Sequence, residues 1–435
     1  MPQEDKVIVE CKSAATDSHE SALTENEFRF EDSGFIDVDR SNGYSSLVAF
    51  LNVFCVIAGT GILGLPYALR QGGFIGVLIF FLSWSMSTYA ANILIRCLYA
   101  DGRARLATYK DVAEAAFGRF GGWIAFFFNT WMLIGIPVLY VLLSGTNINT
   151  LCQGTSAELG LKLWIVICCA LIGTPFVLAK SLKETAWMSV LSAFTILVVV
   201  IIVLIMCGID SPNHPGAHHN AVIWEMFPIS LSTISFSFGG NAVYTRVEAS
   251  MKRPQDWPKV TASSLSTCAV LYLSVAIAGY IVYGDQVTNP VYFSIPSGAP
   301  QTIAIVLTTI HCLATAPIMV TSFSIDIEQM FDISVKRYGK VRECVIRILM
   351  RIIIMVVIAL IACFVPHFSA LMSLIGAFGN CTLVFMFPVL MYLRLTGFRN
   401  KPFYELIWCF FVVLLGVIGL IFGSIDAIRE LKASY

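Results

Sequence analysis

Two short stretches of this 435-residue chain place glycine and polar residues inside apolar surroundings. The first, VIAGTGILGLPYALRQGG at 56–73, carries Gly59, Thr60, Gly61, Gly64 and Pro66 within eight positions. The second, ISLSTISFSFGGNAVYTRVEAS at 229–250, carries Ser237, Phe238, Gly239, Gly240 and Asn241. Glycine and proline weaken a helix by roughly 1 and 3 kcal/mol relative to alanine. A break in hydrocarbon frees backbone N–H and C=O groups, so it must face protein or a wet cavity. Half-helix N-termini favour a carboxylate, and freed carbonyls favour an ammonium or a small cation. Side by side, the two breaks suit a zwitterion. The alternative for each glycine is close helix packing, the usual use of small residues in membranes.

Other residues could support such a site. Asn129 is polar at membrane depth and is expected to face the same cavity. Phe236, Phe238 and Trp131 could shape its pocket. His311 is the only histidine well inside an apolar run, which makes it the first candidate for proton coupling. Hydroxyls of Thr315, Thr321, Ser322 and Ser324 could instead help hold sodium with freed carbonyls, or bond to their own helix. Glu248, Asp326 and Glu328 sit near span ends. Asp326 and Glu328 are read as gate partners of Arg246 or Lys252. His214, His218 and His219 cluster in one loop and could sense its pH.

The elements that position these residues are membrane helices. The chain is 57% hydrophobic and 13% charged, against about 25% charged for a soluble domain. A span needs about 20 apolar residues. Eleven segments qualify, at 46–69, 73–96, 122–145, 161–180, 186–208, 224–245, 260–283, 300–325, 346–366, 368–394 and 403–425. An all-α polytopic membrane protein with eleven transmembrane helices is expected. The stretch 108–118 reads as an amphipathic interfacial helix. Loops rich in Lys and Arg alternate with loops that lack them, and one side collects 24 of the 28 basic residues. By the positive-inside rule this puts the N-terminus in the cytoplasm. The glycine-rich spans are the first and sixth. Five steps reverse the crossing direction, as an inverted five-plus-five repeat requires, with repeats at 45–208 and 222–395 and an extra helix at 403–425.

Several classes are excluded. A net charge of zero leaves no broad basic face for nucleic acid. There is no G-x-x-x-x-G-K loop for ATP, no constellation with catalytic spacing, and no metal or cofactor signature. The thirteen cysteines are scattered and read as small apolar residues. Residues 1–44 hold eleven Asp or Glu against four Lys or Arg. They read as a disordered acidic tail rather than a signal peptide.

The same residues resemble the amino acid/auxin permease family. The likeness runs from about 44 to 425 and rests on GTGILGLPYALRQGG, YKDVAEAAFGRFG, FSFGGNAVYTRVEASMKRPQDWPKV, GYIVYGDQV and FVPHFSALMSLIGAFGN. It looks closest to the fungal vacuolar branch. The resemblance implies a LeuT-like fold, alternating access and secondary transport of amino acids across a lipid bilayer. Many members carry His after the Gly-Gly of span six, whereas this chain has Asn241, which does not titrate. A proton-coupled transporter is the leading expectation. Sodium coupling, a channel, or an amino acid sensor signalling through the acidic tail are the alternatives.

Overall fold

The computed structural model describes residues 37–433, apart from 39, 42, 103, 179–185 and 400. The acidic stretch before residue 37, and Arg103, Lys180 and Lys183, lie outside the described residues. The helices are α1 (Ser46–Ile57), α2 (Gly61–Gly72), α3 (Ile75–Leu98), α4 (Tyr109–Cys152), α5 (Leu161–Leu178), α6 (Ala186–Asp210), α7 (Phe227–Ser237), α8 (Asn241–Ala249), α9 (Trp257–Tyr283), α10 (Ala299–Met330), α11 (Val335–Tyr338), α12 (Lys340–Phe364), α13 (Phe368–Leu374), α14 (Phe387–Thr396) and α15 (Phe403–Ala433). A π-helical stretch, Ile375–Met386, joins α13 to α14. Among the described residues, eight helices are long and apolar enough to cross a membrane. Counting the bent pair α1–α2 makes nine. Of the eleven expected spans, the fourth and sixth fall short of this length: α5 is shorter, and the sixth is divided into α7 and α8.

Both glycine-rich stretches break their helices. α1 and α2 meet at 44°. α7 and α8 are separated by Phe238, Gly239 and Gly240. The two broken helices lie antiparallel and in contact. Before α1, the Tyr44 N–H donates to Ser250 O (3.0 Å) and Tyr44 O accepts from Lys252 N (2.9 Å), just past α8. Midway, Gly61 faces Ser237. At the far end, Ser230 Oγ near the start of α7 donates to Ala68 O in α2 (2.9 Å).

The amphipathic helix expected at 108–118 opens α4. Thr108 Oγ accepts from Asp111 N (3.2 Å), and the Asp111 carboxylate accepts from Thr108 N (3.0 Å), a reciprocal cap. Gly118, at φ 74°, then turns the chain into the long apolar part of α4. That part runs to Cys152 instead of ending at 145. In its last turns Asn147 donates to Thr309 Oγ (3.1 Å) and accepts from Tyr292 Oη (2.7 Å). α10 is the central post, with 72% of its apolar window buried, against 22% for the peripheral α12. Exposed Leu349, Ile353, Val356 and Leu360 on α12 suit contact with lipid.

At the face where α1 begins, here the N-terminal face, a buried carboxylate ties four segments together. Glu248 accepts from Arg105 (2.6 and 2.8 Å), Arg40 (2.9 Å) and Tyr99 Oη (2.6 Å). Neither Glu248 nor Arg105 is more than 1% exposed at its side chain. Breaking a buried pair costs at most about 3–5 kcal/mol, and here Glu248 would keep Arg40 and Tyr99 but lose its most buried cation. Arg105→Met should therefore lower the thermal midpoint of the detergent-solubilised protein clearly. The double variant Arg105→Met/Glu248→Gln should recover most of the loss. A double variant no more stable than the single would contradict a buried charge as the cause.

Candidate functional site

The first break is held by side chains from other helices. The Tyr272 hydroxyl on α9 contacts the carbonyl oxygens of both Ile57, at the end of α1, and Ser237, at the end of α7 (2.9 Å for the latter). One phenol thus clasps the C-terminal ends of both half-helices, where partial negative charge collects. Below the break, Gly59 N donates to Ile57 O (2.6 Å), and Leu63 N picks up Thr60 O (3.2 Å) to start α2.

The glycines serve close approach in this conformation. A Cβ on Gly61 would lie 2.7 Å from Ser237 Cα and one on Gly240 2.5 Å from the Tyr244 ring, while one on Gly239 would strike the Asn380 amide oxygen. A Cβ on Gly59 would strike the Tyr140 hydroxyl. The room expected for a substrate backbone is filled here by protein side chains, and admitting a ligand requires these neighbours to shift.

Several polar atoms at the second break have no protein partner. The Asn380 amide nitrogen, on the π-helical stretch, donates to Ser235 O, and Asn241 Nδ2 donates to Leu383 O (3.3 Å). The carbonyl oxygens of both amides are buried and unpaired, as are Ser235 Oγ and Tyr244 Oη here and Thr60 Oγ at the first break. A buried acceptor left unmet costs about 1–3 kcal/mol. An ammonium carries three donors and no acceptor, and so matches two amide oxygens.

His311 connects to the first break through one ring. It is fully buried, and its imidazole meets the Tyr140 ring edge-on at 6.2 Å, the same tyrosine that closes on Gly59. Its Nδ1 lies 3.1 Å from Ser192 O and 2.8 Å from Ser192 Oγ. Ser192 Oγ in turn bonds Thr315 Oγ (2.6 Å). A carbonyl accepts only, so Nδ1 is assigned the proton and Nε2 the lone pair. Nε2 has no protein partner. Thr321 Oγ and Ser322 Oγ on α10 are also buried and unpaired. Thr315 is tied to Ser192 and so lies apart from them in its bonding.

The charged residues sort into three groups. Arg246 and Asp326 form an ion pair, Nε to Oδ1 3.1 Å, and Arg246 also donates to Gln329 (2.8 Å). Asn129 donates to Asp326 Oδ2 (3.3 Å), so it stands with this pair instead of lining the breaks as expected. Glu328 meets neither Arg246 nor Lys252. It accepts from Arg351 (2.9 Å) and Ser324 (2.8 Å), and Arg351 also donates to Phe176 O (2.8 Å). Arg351, inside the expected ninth span, is a fully buried residue of α12. The loop histidines do not form a cluster: His214 faces Asp210, His218 faces Asp285, and His219 bonds the carbonyls of Tyr280 and Ile281. Phe238 packs between the rings of Phe80 (5.1 Å) and Tyr272 (5.4 Å), and Trp131 against Phe378 (5.2 Å).

The family model described as transmembrane amino acid transporter protein matches residues 42–429. The chain belongs to the transmembrane amino acid transporter family. It is an integral multi-pass membrane protein that transports amino acids, and not an enzyme. It is 27% identical over 403 residues to amino acid transporter AVT1E of Arabidopsis thaliana, covering 90% of this chain and 74% of that one. It is 26% identical over 412 residues to AVT1I of the same organism, covering 93% and 99%. A vesicular inhibitory amino acid transporter of Xenopus tropicalis is 24% identical over 405 residues, covering 88% and 76%. Among solved structures, a Na+-coupled sialic acid symporter in an outward-open state superposes with a TM-score of 0.55 at 12% identity, covering 90% of this chain and 91% of that one. Mhp1, a nucleobase-cation-symport-1 family transporter in a closed conformation, gives 0.55 at 13% identity, covering 93% and 96%. These likenesses place the chain in the LeuT-like transporter fold.

For this amino acid transporter family member, three contributors to the site escaped the sequence. Tyr272, Tyr140 and Asn380 sit on other helices, and only packing brings them to the breaks. Asn380 alone had a visible signal, a polar residue in mid-span between Gly379 and Cys381. Tyr272→Phe removes the shared donor and should destabilise the protein by about 1–3 kcal/mol, read as a lower thermal midpoint. Gly61→Val should cut amino acid flux by more than tenfold, since it forces α2 from α7. Normal flux in Gly61→Val would show that the two breaks need not touch.

Proposed function

We propose that the chain is a secondary active amino acid transporter that works by alternating access and is driven by protons. Its eleven spans form a five-plus-five inverted repeat, residues 45–208 and 222–395, followed by an eleventh helix. The N-terminus is cytoplasmic and the membrane is that of the vacuole, in keeping with the resemblance to the vacuolar branch and with a relative named vesicular. The observation that carries this reading is the pair of antiparallel broken helices touching at Gly61 and Ser237. Around them stand unpaired acceptors on Asn241 and Asn380.

In this mechanism the substrate carboxylate takes the N–H groups that open α2, beside Gly59, Thr60 and Gly61. Its ammonium takes the Asn241 and Asn380 oxygens beside Ser237, Phe238, Gly239 and Gly240. Tyr140 must leave Gly59 as the substrate enters, and its ring abuts His311. A proton arriving at His311 Nε2 therefore acts on the group that gates the first break. The Arg246–Asp326 pair, with Asn129, closes the cytoplasmic side. The Glu328–Arg351 pair holds α10 to α12 and acts as a structural tie.

Sodium is the second reading, and the unpaired hydroxyls of Thr321 and Ser322 favour it. Uptake into proteoliposomes with mixed labelled amino acids, under a pH gradient and separately under a sodium gradient, decides between the two. Proton drive supplies ~1.4 kcal/mol per pH unit, or about tenfold accumulation. His311→Gln should abolish that accumulation and keep binding and exchange. Accumulation driven by sodium alone, and lost in Thr321→Ala/Ser322→Ala, would replace the proton with sodium. Binding without flux under either gradient would favour a sensor.

A further inference from the structure

Asp326 belongs both to the gate pair and to the wall of a cavity of about 310 Å³ at the N-terminal face. One wall is the start of α4, with Thr108, Lys110 and Asp111; the other carries Asn129, Asp326 and Gln329. The two walls differ in chemistry. On the second, Asp326 offers a carboxylate and Gln329 a carbonyl oxygen, and Arg246 donates to both, so a ligand cation would have to displace it from each. Asn129 is only 4% exposed; its nitrogen is committed to Asp326, and its oxygen has no protein partner. All three are acceptors.

The first wall supplies donors. Lys110 Nζ rests 4.3 Å from the centre of the Trp123 ring and has no carboxylate partner among the described residues. The Asp111 carboxylate is engaged by Thr108 N in the cap. The remaining first-turn N–H groups of α4 have no intrahelical acceptor, and the helix dipole adds positive potential there. An anion entering the cavity meets Lys110 but also the carboxylates of Asp111 and Asp326. A cation meets Asp326 but also Lys110. A molecule carrying both charges satisfies both walls.

We propose that this cavity is a second amino acid site, separate from the breaks. The substrate ammonium sits among Asp326, the Asn129 oxygen and Gln329. Its carboxylate meets Lys110 and the first-turn N–H groups. The proposal rests on the transport reading above and adds a step to it. The ammonium competes with the Arg246 guanidinium for Asp326, so a substrate loading from this face loosens the pair that closes the path. The entering amino acid is its own key to the cytoplasmic gate.

The test is the KM of flux from each face, in sealed vesicles of both orientations bearing the full chain. The probe is whichever labelled amino acid of the mixture the wild type moves fastest. Lys110→Gln should raise KM on the N-terminal face about tenfold, the value of one charge-assisted hydrogen bond. KM from the opposite face should stay unchanged, which also shows that the variant is folded. Lys110→Arg should remain near wild type. Equal shifts at both faces, or no shift at either, would overturn the second site while leaving transport intact. A wild type with no flux from either face would overturn the transport reading and this site with it.

Discussion

A helix interrupted inside an apolar layer exposes backbone groups that water cannot reach, and each must be met by protein or by a ligand. Much of this molecule follows from that constraint applied twice. The two interrupted helices lie antiparallel, so the C-terminal ends of α1 and α7 arrive at one place. There a single Tyr272 hydroxyl serves both carbonyls. Gly61 lets the breaks come close enough for one phenol to span them. The interruption is thus tolerable only because there are two of them, oppositely directed and in contact.

The remaining satisfaction is incomplete, and that is where function enters. Amide oxygens, hydroxyls and a histidine nitrogen remain without protein partners around the breaks. A fully paired core would be more stable and would bind nothing. The π-helical winding of Ile375–Met386 brings Asn380 against Gly239, and π-segments often accompany functional sites. Tyr140 links the first break to His311, and His311 to Ser192 and Thr315.

The broken helices were legible because two glycine-rich interruptions recur in spans one and six, five steps apart in opposite crossing directions. The short helix at 108–118 was legible from its amphipathic pattern. The charge partners were not. Glu328 was expected to meet Arg246 and meets Arg351 instead, because reading along the chain cannot say which helices of a bundle are neighbours. Arg351 lies inside the expected ninth span, and only the fold shows that its charge is met by Glu328 of α10 and the Phe176 carbonyl of α5. Asn129 was rightly noticed as polar at depth, yet depth alone does not distinguish the breaks from the vestibule. Tyr272 and Tyr140 carried no signal, since aromatic residues in apolar helices are ordinary packing.

Hydrogen exchange followed by mass spectrometry, with and without a mixture of amino acids, addresses the claim that both breaks build one site. Peptides spanning 55–66 and 235–245 should exchange more slowly with amino acid present, while peptides from the lipid-facing α12 should not change. Protection of only one break, or of neither while amino acid is demonstrably bound, would contradict a binding site shared between the two interrupted helices.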